Sequence, residues 1–146
     1  MNLRSGKTSV IVIVVVASLL TFAGLSMLGG ERPIGVVAKF LDALSKKDYE
    51  TLARLSNAPG FTEEELREEW KRSTTVAGLY FQFLYQIQSE TYPTEESAVV
   101  LVSFTPEAGS EVSYERRLEV PVSKIDGEWK VDVLALNRDI YPGLPR

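Results

Sequence analysis

The chain contains no cysteine and no histidine. It therefore cannot form a disulfide, a Cys/His zinc site, a thiolate nucleophile or a Ser-His-Asp triad, which removes most common catalytic arrangements. Positive charge is scarce as well, with 16 Lys and Arg against 20 Asp and Glu over 146 residues. Arg4 and Lys7 are the only charges of the first 30 residues. Subtracting them leaves 14 basic and all 20 acidic groups in the remaining 116 residues, a net charge of −6. Contact with a phosphate backbone needs clustered cations, so nucleic acid is not an expected partner. The 116 residues suffice for one domain with a real core, because chains of this size bury roughly two thirds of their unfolded surface.

What the first 30 residues do have is a long apolar run. Thr8 to Gly30 is uncharged throughout, centred on Val10-Ile11-Val12-Ile13-Val14-Val15-Val16 and continued by Leu19, Leu20, Phe22, Leu25 and Leu28. As a helix it would reach roughly 34 Å at 1.5 Å per residue, against a hydrocarbon core of about 30 Å. Its Ile, Leu, Val and Phe residues supply about −4 to −7 kcal/mol of apparent insertion free energy, offset in part by Ser18, Thr21, Gly24 and Ser26. The expectation is a signal-anchor with a lipid-bilayer partner through residues 8–30. Arg4 and Lys7 would hold the N-terminus in the cytoplasm and place residues 31–146 outside. The alternative is a cleaved secretory signal with Thr21-Phe22-Ala23 as its processing site. Either way the domain is extracytoplasmic. In the anchored case Gly29-Gly30-Glu31-Arg32 keeps it within about 15 Å of the headgroups, where a membrane-proximal protein partner is expected.

Residues 31–146 read as one α+β domain. Pro33 suits a first helical turn, and Ile34, Val37, Phe40, Leu41 and Leu44 form an apolar stripe, predicting a helix over 33–46. Asp48 is placed as an N-cap for a short second helix carrying Tyr49, Leu52 and Leu55 and ending near Ser56-Asn57. Ala58-Pro59-Gly60 breaks it. Thr62 and Glu65 have capping-box spacing, and Phe61 and Leu66 have that of a hydrophobic staple, so a third helix starts there and runs to about Ser73. Glu63 with Arg67 and Glu68 with Arg72 are spaced as i, i+4 ion pairs on a solvated face, while Leu66 and Trp70 mark the buried side.

After Gly78 the period falls from 3.6 to 2. Leu79, Phe81, Phe83, Tyr85 and Ile87 predict one face of a strand ending near Thr91, followed by a turn over 92–96. Ala98 to Phe104 is apolar on both faces, as in a central strand. Val112, Tyr114, Arg116, Leu118, Val120 and Val122 alternate with polar residues, and Asp126-Gly127 is a two-residue hairpin signal leading to Trp129, Val131, Val133 and Ala135. The predicted fold class is thus a transmembrane helix, then three helices packed on a curved four-stranded antiparallel sheet.

Two segments carry a family resemblance. Val37-Ala38-Lys39-Phe40-Leu41-Asp42-Ala43-Leu44-Ser45-Lys46-Lys47-Asp48-Tyr49 resembles the opening helix of the NTF2-like, or cystatin-like cone, superfamily. Ile125-Asp126-Gly127-Glu128-Trp129-Lys130-Val131 is similar to its last hairpin. The likeness covers residues 33–136 and is nearest to the DUF4878-type proteins of the bacterial envelope. In ketosteroid isomerase-like relatives the resemblance implies an apolar pocket with an Asp or His base and Tyr or Asp donors. No histidine matches here, and Asp132 has the strand phase opposite to Trp129, Val131 and Val133, so no catalytic residue carries over.

One position stands against the pattern. Arg116 shares the apolar phase of Val112, Tyr114, Leu118 and Val120, where a charge must find a partner or an opening. Two readings stay open: a cone-mouth arginine holding a small-molecule carboxylate with Tyr85 and Tyr114 as donors, or an edge arginine paired to a nearby acid. Tyr80, Phe81, Phe83, Tyr85 and Trp129 are expected in the core. Function is accordingly read as a non-catalytic, membrane-tethered interaction or scaffold module of the cell envelope, with no cofactor and no metal. The alternative is a small-molecule-binding or isomerase-like cone with its pocket near Arg116.

Overall fold

A computed structural model describes residues 30–76, 83–106 and 116–137. Residues 8–29 of the expected membrane span lie outside these, as do Tyr114, Leu79, Tyr80 and Phe81. No helix among the described residues is long and apolar enough to cross a membrane.

Helix α1 spans Pro33–Lys46 and α2 spans Tyr49–Leu55, followed by the two-residue strand β1 (Ser56–Asn57) and helix α3 (Glu63–Val76). Strands β2 (Phe83–Thr94), β3 (Ser97–Pro106), β4 (Arg116–Ile125) and β5 (Glu128–Asp132) come next, and Val133–Ala135 is a 3-10 turn. The sheet order is β1-β5-β4-β3-β2. Strands β2 to β5 form the expected antiparallel meander, but β1 pairs parallel with β5.

The sheet is therefore five-stranded and mixed, which corrects the expectation of four antiparallel strands. Segment 56–57 is too short to show a period. It is held instead by a long-range side-chain bond, Asn57 donating to Asp132 Oδ1 at 2.6 Å. Ser123 Oγ donates to the other carboxylate oxygen at 2.6 Å, so Asp132 ties β1, β5 and β4 together on the side of the sheet away from the helices. The last strand also ends sooner than alternation implied, since Val133 and Ala135 belong to the 3-10 turn.

Local signals set the helix starts. Asp48 accepts from the Thr51 amide at 3.2 Å. Thr62 donates its amide to Glu65 Oε2 at 2.7 Å, and the Glu65 amide returns a bond to Thr62 Oγ1 at 3.2 Å, a complete capping box. Phe61 packs on Leu66, Ala53 and Ala58, as the staple requires. Along α3 the ion pairs are one residue tighter than predicted, Arg67 with Glu64 and Arg72 with Glu69, both i, i+3. Helix α1 ends where Lys47 turns left-handed at φ 57° and its amide reaches the carbonyls of Ala43 and Leu44.

Between helices and sheet lies one core. Phe40, Leu41, Leu44 and Leu52 from the first two helices and Trp70 from α3 meet Val100, Val102, Val120, Val122 and Val131 of the sheet, each at most 1% exposed. Trp70 stacks edge-on against Phe40 at 5.5 Å and donates from Nε1 to Ser56 Oγ at 2.9 Å. Trp129, expected in this core, is only half-buried and packs at its margin. Its strand phase is inward, two residues before the fully buried Val131.

Trp70→Ala is expected to cost about 3 to 5 kcal/mol in urea unfolding, and Trp129→Ala roughly half as much. Equal losses would show that Trp129 is as buried as Trp70. A pH dependence follows from the caps. The hydroxyl and amide of Thr51 hold Asp48 below its ordinary 3.8, and the amide and hydroxyl of Thr62 hold Glu65 below its ordinary 4.5. Depressed folded values mean that this stabilisation is complete above the ordinary carboxylate range and is lost as pH falls through the folded values. The double variant Asp48→Asn, Glu65→Gln keeps both caps without the titration. Its urea midpoint should fall less than that of wild type between pH 6 and pH 3.

Candidate functional site

Among the described residues, the layer between helices and sheet is lined by packed apolar side chains. Phe40, Trp70, Leu44 and Val102 meet there with at most 1% exposure. Two rims of this layer carry chemistry, one at each end of the strands.

At the first rim the structure aligns two of the three sequence-predicted site residues. Tyr85 pairs with Phe104, and Phe104 with Arg116, so the three lie in one row across β2, β3 and β4. Tyr85 and Arg116 are thus two strand spacings apart, roughly 10 Å at the backbone. Tyr114 lies outside the described residues. The Tyr85 hydroxyl donates to the Ala38 carbonyl at 3.2 Å, and burial raises its pKa, with the Asp42 carboxylate adding to the shift. That tyrosine is therefore a neutral strut between sheet and α1. Arg116 is exposed at the first position of β4, which explains how a charge occupies an inward phase. No acid among the described residues pairs with it.

The opposite rim was not read from the sequence. Strand β2 carries a bulge, its register passing from Ile87↔Val102 to Ser89↔Leu101 and leaving Gln88 unmatched. Gln88 instead donates to Ser103 Oγ at 3.1 Å. The extra residue reverses the alternation, so Glu90, which strict period 2 places outside, stands opposite Val100 on the inner face. Its side chain is 7% exposed. There it does two things. One oxygen accepts from the Ile34 amide at 3.2 Å, and the other pairs with the Arg32 guanidinium.

Arg32 stands at the N-cap of α1 but its side chain makes no cap bond. Glu90 supplies the missing cap from 56 residues away, with its negative charge at the positive end of the helix. Glu90 and then the Tyr92 hydroxyl raise the Arg32 pKa, so Tyr92 lies close to the guanidinium. Beyond it Tyr92 meets Trp129 edge-on at 6.2 Å, and Lys124 Nζ lies 5.8 Å from the Trp129 ring. A break in alternation near Gln86-Ile87-Gln88-Ser89 was the only trace of this in the sequence, and a bulge has no reliable residue signature.

A shallow groove of about 340 Å³ runs along the start of α3, lined by Gly60, Phe61, Glu64, Glu65, Glu68 and Glu69. Glu64, Glu65 and Glu69 are already committed to Arg67, Thr62 and Arg72. Among the described residues no group of acids is arranged to hold a metal ion.

No family model and no curated protein matches the chain. Solved structures do. The chain is similar to an NTF2-like protein of unknown function from Shewanella oneidensis, with 12% identity, TM-score 0.46, and 67% of this chain and 89% of that one covered. It is also similar to an NTF2-like transpeptidase from Campylobacter jejuni, named as putative, with 16% identity, TM-score 0.45, and coverage of 68% and 97%. A third is a ketosteroid isomerase-like protein from Erwinia carotovora, with 16% identity, TM-score 0.41, and coverage of 66% and 85%.

The two rims differ in what they should contribute to stability. Glu90→Ala removes a cap and an ion pair and should cost about 1 to 2 kcal/mol, with Glu90→Gln milder because the amide oxygen still accepts from Ile34. Arg116→Leu, at an exposed position, should lie within about 0.5 kcal/mol of wild type. Urea midpoints of the three variants check both expectations, and a neutral Glu90→Ala would remove the long-range cap.

Proposed function

We propose that the protein is an NTF2-like domain carried outside the cytoplasm on an N-terminal membrane anchor, acting as a non-catalytic interaction module of the bacterial cell envelope in the manner of the DUF4878-type proteins. The observation that supports the non-catalytic part is the apolar packing of the described side chains between helices and sheet. Where an isomerase-like cone needs an open apolar pocket with an acid or base in it, the described side chains here are Phe40, Trp70, Leu44 and valines. The order of three helices followed by a meander supports the family reading. The anchor rests on the uncharged stretch from Thr8 to Gly30 preceded by Arg4 and Lys7. On this reading the surface, not the interior, meets the partner, and a partner within reach of a short tether is itself in or at the membrane.

A second reading is favoured by one observation, the row of Tyr85, Phe104 and Arg116 with the guanidinium exposed and free of any described acid. It makes that rim a site for a small carboxylate. A thermal-shift screen of wild type and Arg116→Leu against small carboxylates separates the two, since a bound ligand stabilises by RT ln(1 + [L]/Kd). A rise confined to wild type supports the ligand-binding reading, and no rise supports the interaction module.

For the anchor, alkaline carbonate extraction of membranes expressing the full chain is expected to leave it in the pellet at its unprocessed mass. Release of the full-length chain into the supernatant would overturn the anchor, and a mass shortened after Ala23 would establish a secreted form.

A further inference from the structure

The rim built on Glu90 ends in a row of side chains that suits neither a core nor bulk water. Tyr92 meets Trp129 edge-on, Lys124 lies against Trp129, and Arg32 stands on the Tyr92 side of the row. Tyr92 is 50% exposed, and Ile125, the neighbour of Lys124, is 38% exposed. Aromatic rings with polar tips, flanked by long cationic stems, are the side chains that bilayer–water interfaces collect, because each places an apolar body and a wet end in adjoining layers. We propose that the Arg32, Tyr92, Trp129 and Lys124 row rests in the headgroup layer of the bilayer. This rests on the anchored reading above.

The covalent chain supports that placement. The uncharged stretch ends at Gly30, and Arg32 is already fixed to the sheet through Glu90. Between them only Glu31 intervenes, itself paired with Lys39 at 2.6 Å. Two residues reach at most about 7 Å, and the headgroup layer on one side of a bilayer is about 5 to 8 Å thick. An anchor ending at Gly30 thus brings Arg32, and the ring close to it, to that layer without any further motion. The helix cap contributes as well. With the Ile34 amide and the Arg32 guanidinium both on one buried carboxylate, the entry of the chain into α1 is held against the sheet at two points. This rim leads because it is the end at which the chain enters the domain.

Charge indicates what kind of contact it is. Exposed Glu95 and Glu96 on one hairpin turn, with exposed Asp126 and Glu128 at the other, outnumber Arg32 and Lys124. Attraction to anionic lipid is therefore not the source of the contact. The rings are, and a neutral phosphatidylcholine surface should serve as well as an acidic one.

Tryptophan fluorescence of the full chain in lipid nanodiscs tests this, because its 2 tryptophans report different places. Trp70 is 0% exposed, so quenching by lipid-borne nitroxides reads Trp129. In phosphatidylcholine discs a nitroxide on the headgroup should quench Trp129 more strongly than one deep in the acyl chain, removing up to half of the emission. Trp129→Phe should abolish that quenching, and the wild-type ratio of shallow to deep quenching gives the same answer without a variant. Exchanging a quarter of the lipid for phosphatidylglycerol should change the quenching by less than about two-fold. A chain that co-elutes with the discs while Trp129 stays unquenched would overturn the headgroup contact and leave the anchor standing. A chain absent from the discs would overturn both.

Discussion

The indole of Trp70 is the contact on which the layered structure depends. Its ring meets Phe40 of α1, its N–H is taken up by Ser56 at the start of β1, and Ser56 in turn donates its hydroxyl to the Leu52 carbonyl at the end of α2. One side chain thus fixes three helices and the sheet edge relative to each other. It does so in a fully buried place where its single polar atom has a partner, so the cost of burying that atom is met. The pairing also explains why α2 can be short. A seven-residue helix is marginal alone, and here its last turn is closed by a serine that the core itself holds in place.

The described core is apolar throughout. Among the described residues, aromatic and aliphatic groups pack between helices and sheet, and the polar and charged groups gather at the rims. The rims are not alike. At one, Tyr85 acts as a strut to α1 while Arg116 stands exposed two strands away. At the other, a carboxylate, a guanidinium and two rings follow one another from beneath the first turn of α1 to the sheet end. That second group exists because a single unmatched residue, Gln88, changes which side of β2 faces inward. A bulge is thus the source of the buried Glu90.

Elements whose causes are local were legible in the sequence. The bounds of α1, the Asp48 cap, the capping box at Thr62 and Glu65, and the Asp126-Gly127 turn each rest on residues within four positions of one another. Elements whose causes are distant were not. Strand β1 depends on Asn57 finding Asp132, and the cap of α1 depends on Glu90. The partial exposure of Trp129 is likewise not contained in strand alternation, which puts it in phase with the buried Val131. Phase identifies the face a residue takes, whereas burial depends on what lies over it. The same distinction applies to Arg116, whose inward phase is real and whose exposure follows from its place at the strand end. For the candidate site, the sequence pointed to Tyr85 and Arg116, which the sheet register places in one row, while the rim that gathers the most groups was invisible because a bulge reverses the pattern that would have shown it.

The parallel pairing of β1 with β5 also sets an order of events. Hairpins β2–β3, β3–β4 and β4–β5 join neighbours in sequence, and the helices close through local caps, so each can form early. Ser56 and Asn57 must wait for Val131 and Asp132, contacts 75 residues apart that carry a loop-closure cost of roughly 4 kcal/mol. The helices precede β5 in the chain, so the edge strand β1 stays unpaired until β5 has followed them. Until β5 docks, Val131 is missing from the core, and that interval is when the folding chain is most open to association with other apolar surfaces.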